Sequence, residues 1–157
     1  MTPASWPEVA RIYEAGIATK NATFETKAPE WNAWDNAHRK DCRLVAIIDE
    51  QIVGWCSLSN ISSRCVYAGV AEVSIYIDPA FQGRGVGSKL MEELIKESEA
   101  NGIWTLQSGI FPENLKSLGL HQKFGFRVVG VKERIGKMDG IWRDEAVLER
   151  RSGVVWV

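Results

Sequence analysis

Gln82-Gly83-Arg84-Gly85-Val86-Gly87 stands between AEVSIYI (71–77), which ends in Asp-Pro, and a stretch of helical period. Glycines at such a junction let backbone come close to a partner. A helix start offers unpaired N–H groups and the positive end of its dipole, so a glycine-rich entry can wrap a phosphate. Arg84 adds a full charge. The same glycines would serve a tight strand-to-helix turn that needs them only for its dihedrals. Two phosphate patterns fail on spacing. The glycines run G-x-G-x-G rather than G-x-G-x-x-G, and no second mononucleotide half follows. Lys89 comes two residues after Gly87 with no hydroxyl residue behind it, unlike a nucleotide-triphosphate loop.

Outward from this stretch the elements follow from periodicity. AEVSIYI alternates, placing Val73, Ile75 and Ile77 on one face and Glu72, Ser74 and Tyr76 on the other. Beyond the glycines, Val86, Leu90, Leu94 and Ile95 recur at helical spacing up to Asn101-Gly102, a fitting helix end. WTLQSGIF (104–111) reads as a strand and ENLKSLGLHQKFG (113–125) as a helix closed by Gly125. FRVVGVKERI and a strand around WRDEAVLERR, separated by Gly136–Gly140, read as a closing hairpin.

Upstream, Ser5 is placed to cap a first helix carrying Pro7 in its first turn and Val9, Ile12, Tyr13 and Ile17 at helical spacing. Residues 30–38 read as a second, short helix, with Trp31 and Trp34 on one side. RLVAIID (43–49), a polar turn at Glu50-Gln51 and IVGWCSLS (52–59) read as a hairpin, and ISSRCVYAGV as a loop. The expected class is α/β (α+β), a mixed sheet flanked by helices.

The bulk numbers set limits. With 157 residues, 45% hydrophobic and 25% charged, the chain suits one domain over 1–157 with a real core. A net charge of −1 gives no global pull toward nucleic acid or an anionic membrane, so an anionic ligand must be met locally. No apolar run approaches a membrane span and no charged leader precedes an apolar core, so a cytoplasmic location is expected. Cys42, Cys56 and Cys65 match neither a disulfide framework nor a zinc site; reduced thiols and no metal are expected.

In this setting, strand before and helix after, QGRGVG resembles the Q/R-x-x-G-x-G/A acyl-CoA pyrophosphate loop of the GCN5-related N-acetyltransferases. FPENLKSLGLHQKFGF resembles the family's second signature, an Asn near the start of a helix ending in Gly-Phe. ATFET (22–26), Arg64 with Tyr67 and Glu72, His121 in LHQKFGF, and GKMDGIWRD are similar to the branch that acetylates the α-amine of phosphinothricin, methionine sulfoximine or arsinothricin. The resemblance covers almost the whole chain. It implies the family fold, acetyl-CoA as co-substrate, and a cleft between strands 71–77 and 104–111.

Residue by residue, the resemblance implies a pyrophosphate held by Gln82, Gly83, Arg84, Gly85, Val86 and Gly87. The pantetheine arm would meet backbone near Ile75, Tyr76 and Ile77 on one side, and Asn114 and Ser117 on the other. Glu72 is the implied general base and His121 the implied proton donor to the departing thiolate. Each also has a plainer reading: a carboxylate paired with an arginine at a sheet end, and a helix histidine hydrogen-bonded between helix and sheet. Phe24, Glu25, Arg64 and Tyr67 would line the substrate pocket, the guanidinium gripping an oxyacid in a bidentate way.

Two departures stand out. Val70 occupies a position where relatives often carry a substrate-facing threonine, and the chain lacks most of the edge strand that usually opens this fold. The resemblance also implies a homodimer, in which Trp142 and Trp156 would be covered by the partner. Acetylation of another small amine or of a protein N-terminus, and a non-catalytic acyl-CoA sensor, remain as other readings; the joint presence of Glu72 and His121 favours the enzyme.

Overall fold

The structure is a computed structural model and describes residues 1–155; Trp156 lies outside the described residues. In chain order it contains α1 (Trp6–Ala18), α2 (Trp31–Ala37), β1 (Leu44–Ile48), β2 (Gln51–Asn60), β3 (Val70–Ile77), α3 (Val86–Ala100), β4 (Thr105–Ile110), α4 (Leu115–Lys123), β5 (Arg127–Met138) and β6 (Ile141–Arg151). Short 3-10 turns occur at Cys65–Tyr67 and Pro79–Phe81. The strands form a six-stranded sheet in the order β1-β2-β3-β4-β6-β5. The β3–β4 pair is parallel and the others antiparallel.

The period-2 pattern of β3 separates two cores. Val73, Ala71 and, less deeply, Ile75 and Ile77 pack with Leu90, Met91 and Leu94 of α3. Tyr76 faces the other way, with Trp55 of β2, Val9 and Ile12 of α1 and Trp34 of α2. Gly16 of α1 permits this approach, since a Cβ there would lie 2.6 Å from Tyr76 Cδ1.

Several expected boundaries move. Ser5 is the N-cap residue of α1, but its side chain makes no cap bond to the helix; Ser5 Oγ accepts from Thr2 N–H and donates to Thr2 C=O instead. The first hairpin turns at Asp49-Glu50 rather than Glu50-Gln51, because Gln51 pairs with Ile48. Both turn residues have positive φ (48° and 65°), as a two-residue connection of this hand requires. The last hairpin closes at Asp139-Gly140, not across 136–140, since Gly136, Lys137 and Met138 pair with Arg143, Trp142 and Ile141. Gly136 belongs to the strand because Phe24 occupies the space its Cβ would fill, at 2.7 Å. No strand is found before α1 among the described residues, and β1 stands at the sheet edge.

The feature that positions the site is a parting of strands. β3 and β4 pair only at Val70↔Thr105, Ala71↔Leu106 and Glu72↔Gln107. On their outer sides the ladders continue, β3 with β2 as far as Ile77↔Gly54 and β4 with β6 as far as Ile110↔Ala146. A wedge therefore opens beyond Glu72, held apart by complete pairing on both flanks.

Candidate active site

Backbone alternation decides what lines the wedge. The N–H of Asp78 donates to Val53 C=O on β2, so Tyr76, two residues back, also directs its backbone to β2, and Ile75 and Ile77 direct theirs into the wedge. Of the three residues expected beside an acyl carrier, two direct their N–H and C=O groups there, beyond the last β3–β4 pair among the described residues. Tyr76 instead has its ring stacked on Trp55 at 4.9 Å and against Tyr13 at 4.8 Å.

At the wide end of the wedge, on the α3 side, lies the glycine stretch. Gly83 and Gly85 have φ of 75° and 80°, the left-handed region, and no described atom lies within 4 Å of where a Cβ would stand on either. Gly85 is the N-cap of α3. Open space over two α-carbons at a helix N-terminus is what a bound phosphate needs. Gly87 serves packing, its missing Cβ being 3.2 Å from Leu120 Cδ2. Gln82 and Arg84 are exposed, and the Arg84 guanidinium lies over the Phe81 ring at 5.0 Å. Two cations from α4 join them: Lys116 Nζ donates to Gln82 Oε1 at 3.3 Å and Lys123 Nζ to Ser88 Oγ at 3.1 Å. Sequence reasoning missed both lysines, although a separation of seven residues places them on one helix face.

Asn114 begins α4. Its Oδ1 accepts from Ser117 N–H at 3.2 Å, and its Nδ2 donates to Asn21 C=O at 3.0 Å, tying α4 to the α1–α2 loop. Ser117 C=O receives a bond from His121 Nδ1 at 2.8 Å. A carbonyl only accepts, so Nδ1 carries a proton, and in the neutral ring Nε2 then holds the lone pair. His121 is 1% exposed, lies edge-on to Phe126 at 4.9 Å, and its Nε2 has no partner among the described residues. Burial holds its pKa below the ordinary histidine value, with the Ser117 carbonyl opposing. In its neutral form the expected proton donor thus presents an acceptor at Nε2.

Glu72 projects from the face opposite α3, where β3 and β4 part. Its area exposure is more than a third, as for a side chain on the floor of an open cleft, yet protein surrounds it closely enough to shift its titration. Desolvation, then the like charge of Glu145, raise its pKa above the usual carboxylate range, and Lys132 opposes them. The register puts Gln107, Gly109 and Glu145 on the same face. Phe111, the next residue of that alternation, packs edge-on to Phe24 at 4.8 Å.

Arg143 draws the Phe24 loop over this floor. Its guanidinium donates to Lys20 C=O at 2.8 Å and Asn21 Oδ1 at 3.3 Å, pairs with Glu113 at 3.3 Å, and lies over the Phe111 ring at 4.1 Å. An ion pair between Lys20 and Asp139 adds a second tie. Glu25 departs from its neighbour: with Glu14, Lys20, Thr26, Met138 and Asp139 it lines a pocket of about 380 Å³ between α1 and the hairpin tip. Arg64 and Tyr67 sit together in the exposed loop before β3, guanidinium over ring at 5.6 Å. Arg143, Glu145 and Lys132 were not legible as site residues, because strand register alone brings them to Glu72.

The comparisons agree with this geometry. The model of the acetyltransferase (GNAT) family matches residues 7–126. Phosphinothricin N-acetyltransferase of Streptomyces coelicolor is 31% identical over 147 residues, which cover 88% of this chain and 86% of that protein. L-methionine sulfoximine/L-methionine sulfone acetyltransferase of Salmonella typhimurium is 32% identical over 141 residues, covering 87% and 82%. The crystal structure of a phosphinothricin acetyltransferase from Sinorhizobium meliloti in complex with acetyl-CoA superposes with a TM-score of 0.86 at 25% identity, over 98% of this chain and 86% of that one. An open glycine turn before α3, a wedge between β3 and β4 and a desolvated carboxylate on the far face thus coincide with the sequence match, and the chain belongs to the GNAT family of acetyltransferases.

Proposed function

We propose that this protein, a single acetyltransferase domain over 1–157, transfers the acetyl group of acetyl-CoA to the α-amine of a small amino-acid-like oxyacid of the phosphinothricin, methionine sulfoximine or arsinothricin type. Transfer is direct, in a ternary complex, and its consequence for a cell is resistance to such a toxin. The observation that carries the reading is the wedge, which opens between an open glycine turn at a helix N-terminus on one face and Glu72 on the other.

The amides of residues 83–87, with Arg84, Lys116 and Lys123, would hold the pyrophosphate; Ile75 and Ile77 would hydrogen-bond the pantetheine arm and polarise the thioester carbonyl. The acceptor's ammonium gives a proton to the Glu72 carboxylate, whose basicity is increased by burial and by the like charge of Glu145. The nitrogen lone pair then forms the new C–N bond, the C–S bond breaks, and the thiolate takes up the proton shed by the amide nitrogen. In its neutral form His121 has no Nε2 proton to give, so its part is to accept and to orient. Arg64 would meet the oxyacid.

A thiol-release assay with acetyl-CoA against free amino acids, phosphinothricin, methionine sulfoximine and arsinothricin tests the reading. Turnover with the oxyacids is expected to exceed that with ordinary amino acids. Arg64→Ala should raise the oxyacid KM roughly tenfold to a hundredfold and leave the acetyl-CoA KM alone. Thiol release with none of the panel would sink the proposal.

A further inference from the structure

The floor of the acceptor side holds a second carboxylate that the proposed mechanism does not use. Glu145 leaves β6 and lies flat over Gly109 of β4: a Cβ on that glycine would stand 2.4 Å from Oε1, 2.7 Å from Cδ and 3.2 Å from Cγ. Glycine at 109 is therefore the berth of this side chain. Its Oε2 accepts from Lys132 Nζ at 3.1 Å, and the Glu145 side chain is 23% exposed. Oε1 has no hydrogen-bond partner among the described residues. β4 has already parted from β3 at Gly109, since their last pair is Glu72↔Gln107. The free oxygen thus borders the mouth of the wedge on the face that carries Glu72.

We infer that Glu145 is an acceptor-binding residue, its Oε1 accepting an N–H of the incoming ammonium while Lys132 holds Oε2, so that two carboxylates grip the amino group from β3 and β6. The inference rests on the transferase reading for the identity of the ligand. An ammonium has three N–H donors; Glu72 takes one as a proton, and a second donor stays on Glu145 as the nitrogen turns toward the carbonyl carbon. The seat therefore needs two N–H groups on the incoming ammonium, one to give and one to keep.

The charges around Glu72 make the pairing measurable. On its face β6 carries Arg143, Glu145, Glu149 and Arg151, and β5 carries Lys132 and Arg127; Arg143 is paired with Glu113. Glu149 is paired with Arg127, and Arg151 donates to Trp104 C=O and Thr105 Oγ1. The flanking positions of β4 and β2 are Thr105, Gln107, Gly109, Ser57 and Ser59, none of them charged. Glu145 is accordingly the like charge that Glu72 feels and Lys132 the opposite one.

Two variants test this from different strands. Glu145→Gln removes the charge and keeps the shape; Gly109→Ala keeps the charge but its Cβ pushes the carboxylate off its berth, a displacement that a flexible side chain absorbs. Both are expected to raise the acceptor KM about tenfold to a hundredfold with the acetyl-CoA KM unchanged. A carboxyl-carbon NMR titration of Glu72 needs no acceptor: its pKa should fall in Glu145→Gln and rise in Lys132→Met. A wild-type protein without transferase activity refutes the transferase reading alone, while the titration still decides the carboxylate pair. An unmoved Glu72 titration in Glu145→Gln, or an acceptor KM equal to wild type in an active Glu145→Gln enzyme, overturns the inference.

Discussion

Glu72 titrates against its own fold. Because burial and Glu145 raise its folded-state pKa, the native state binds that proton more readily than the unfolded chain. The linked stability is full below the ordinary carboxylate value and declines as pH rises through the raised one. Glu72→Gln should therefore raise Tm at neutral pH while lowering kcat roughly a hundredfold to ten-thousandfold. Acetyl-CoA affinity should stay unchanged. Scanning calorimetry beside thiol release separates the cases, since a structural carboxylate would lower Tm when lost. His121 has the opposite sign: its folded pKa is depressed, so its contribution is present above the ordinary histidine value and is lost as pH falls through the lowered one. Urea midpoints should drop on acidification from pH 7.5 to pH 5 by less in His121→Asn than in wild type. A nitrogen NMR spectrum showing His121 protonated on both nitrogens at pH 6 would return it to the role of donor. Both residues were legible in the sequence as positions in a pattern. Their protonation states were not, because these depend on the Ser117 carbonyl and on Glu145 and Lys132, which the register of other strands supplies.

At the scale of elements, the turn before α3 separates conformational need from ligand need. Gly83 and Gly85 both have positive φ, and open space surrounds both α-carbons. Asn and Asp tolerate the left-handed region better than other side chains, so Gly85→Asp should leave a folded protein that has lost on the order of 1 kcal/mol. It should nevertheless show no detectable heat of acetyl-CoA binding, because the new carboxylate would stand at the pyrophosphate. Unchanged affinity in the folded variant would show that the glycines serve only the turn. This element was plain in the sequence because its neighbours are strongly periodic: the alternation of β3 and the helical spacing of Val86, Leu90, Leu94 and Ile95 all appear as expected. Elements set by distant partners were harder to read. Gly136 looked like turn material, yet it is a residue of β5 paired with Arg143 of β6, and Phe24, more than a hundred residues earlier, fills the space above it. Ser5 had the chemistry of a cap but bonds backward to Thr2.

For the whole molecule, the outer hairpin presents a surface that a single chain leaves open. β5 ends the sheet order, so one of its edges is unpaired among the described residues. Along this hairpin Val129, Val131, Ile135, Ile141 and Trp142 are each more than half exposed. A run of large apolar side chains on an edge strand invites either a partner or aggregation. The same hairpin carries Arg143 and Asp139, which hold the Phe24 loop over the acceptor floor, so a second copy seated here would also steady the site. The homodimer expected from the resemblance is thus proposed to form through β5 and β6, with Trp142 rather than both C-terminal tryptophans as the described anchor. Light scattering at tens of micromolar should give twice the chain mass, and Tm should rise with protein concentration. Trp142→Asp and Ile135→Lys should each yield a folded monomer whose Tm no longer depends on concentration, with an acceptor KM above wild type because the Phe24 loop is less firmly held. A wild-type monomer at that concentration removes the dimer, and a dimer unaffected by either variant places its interface on another face.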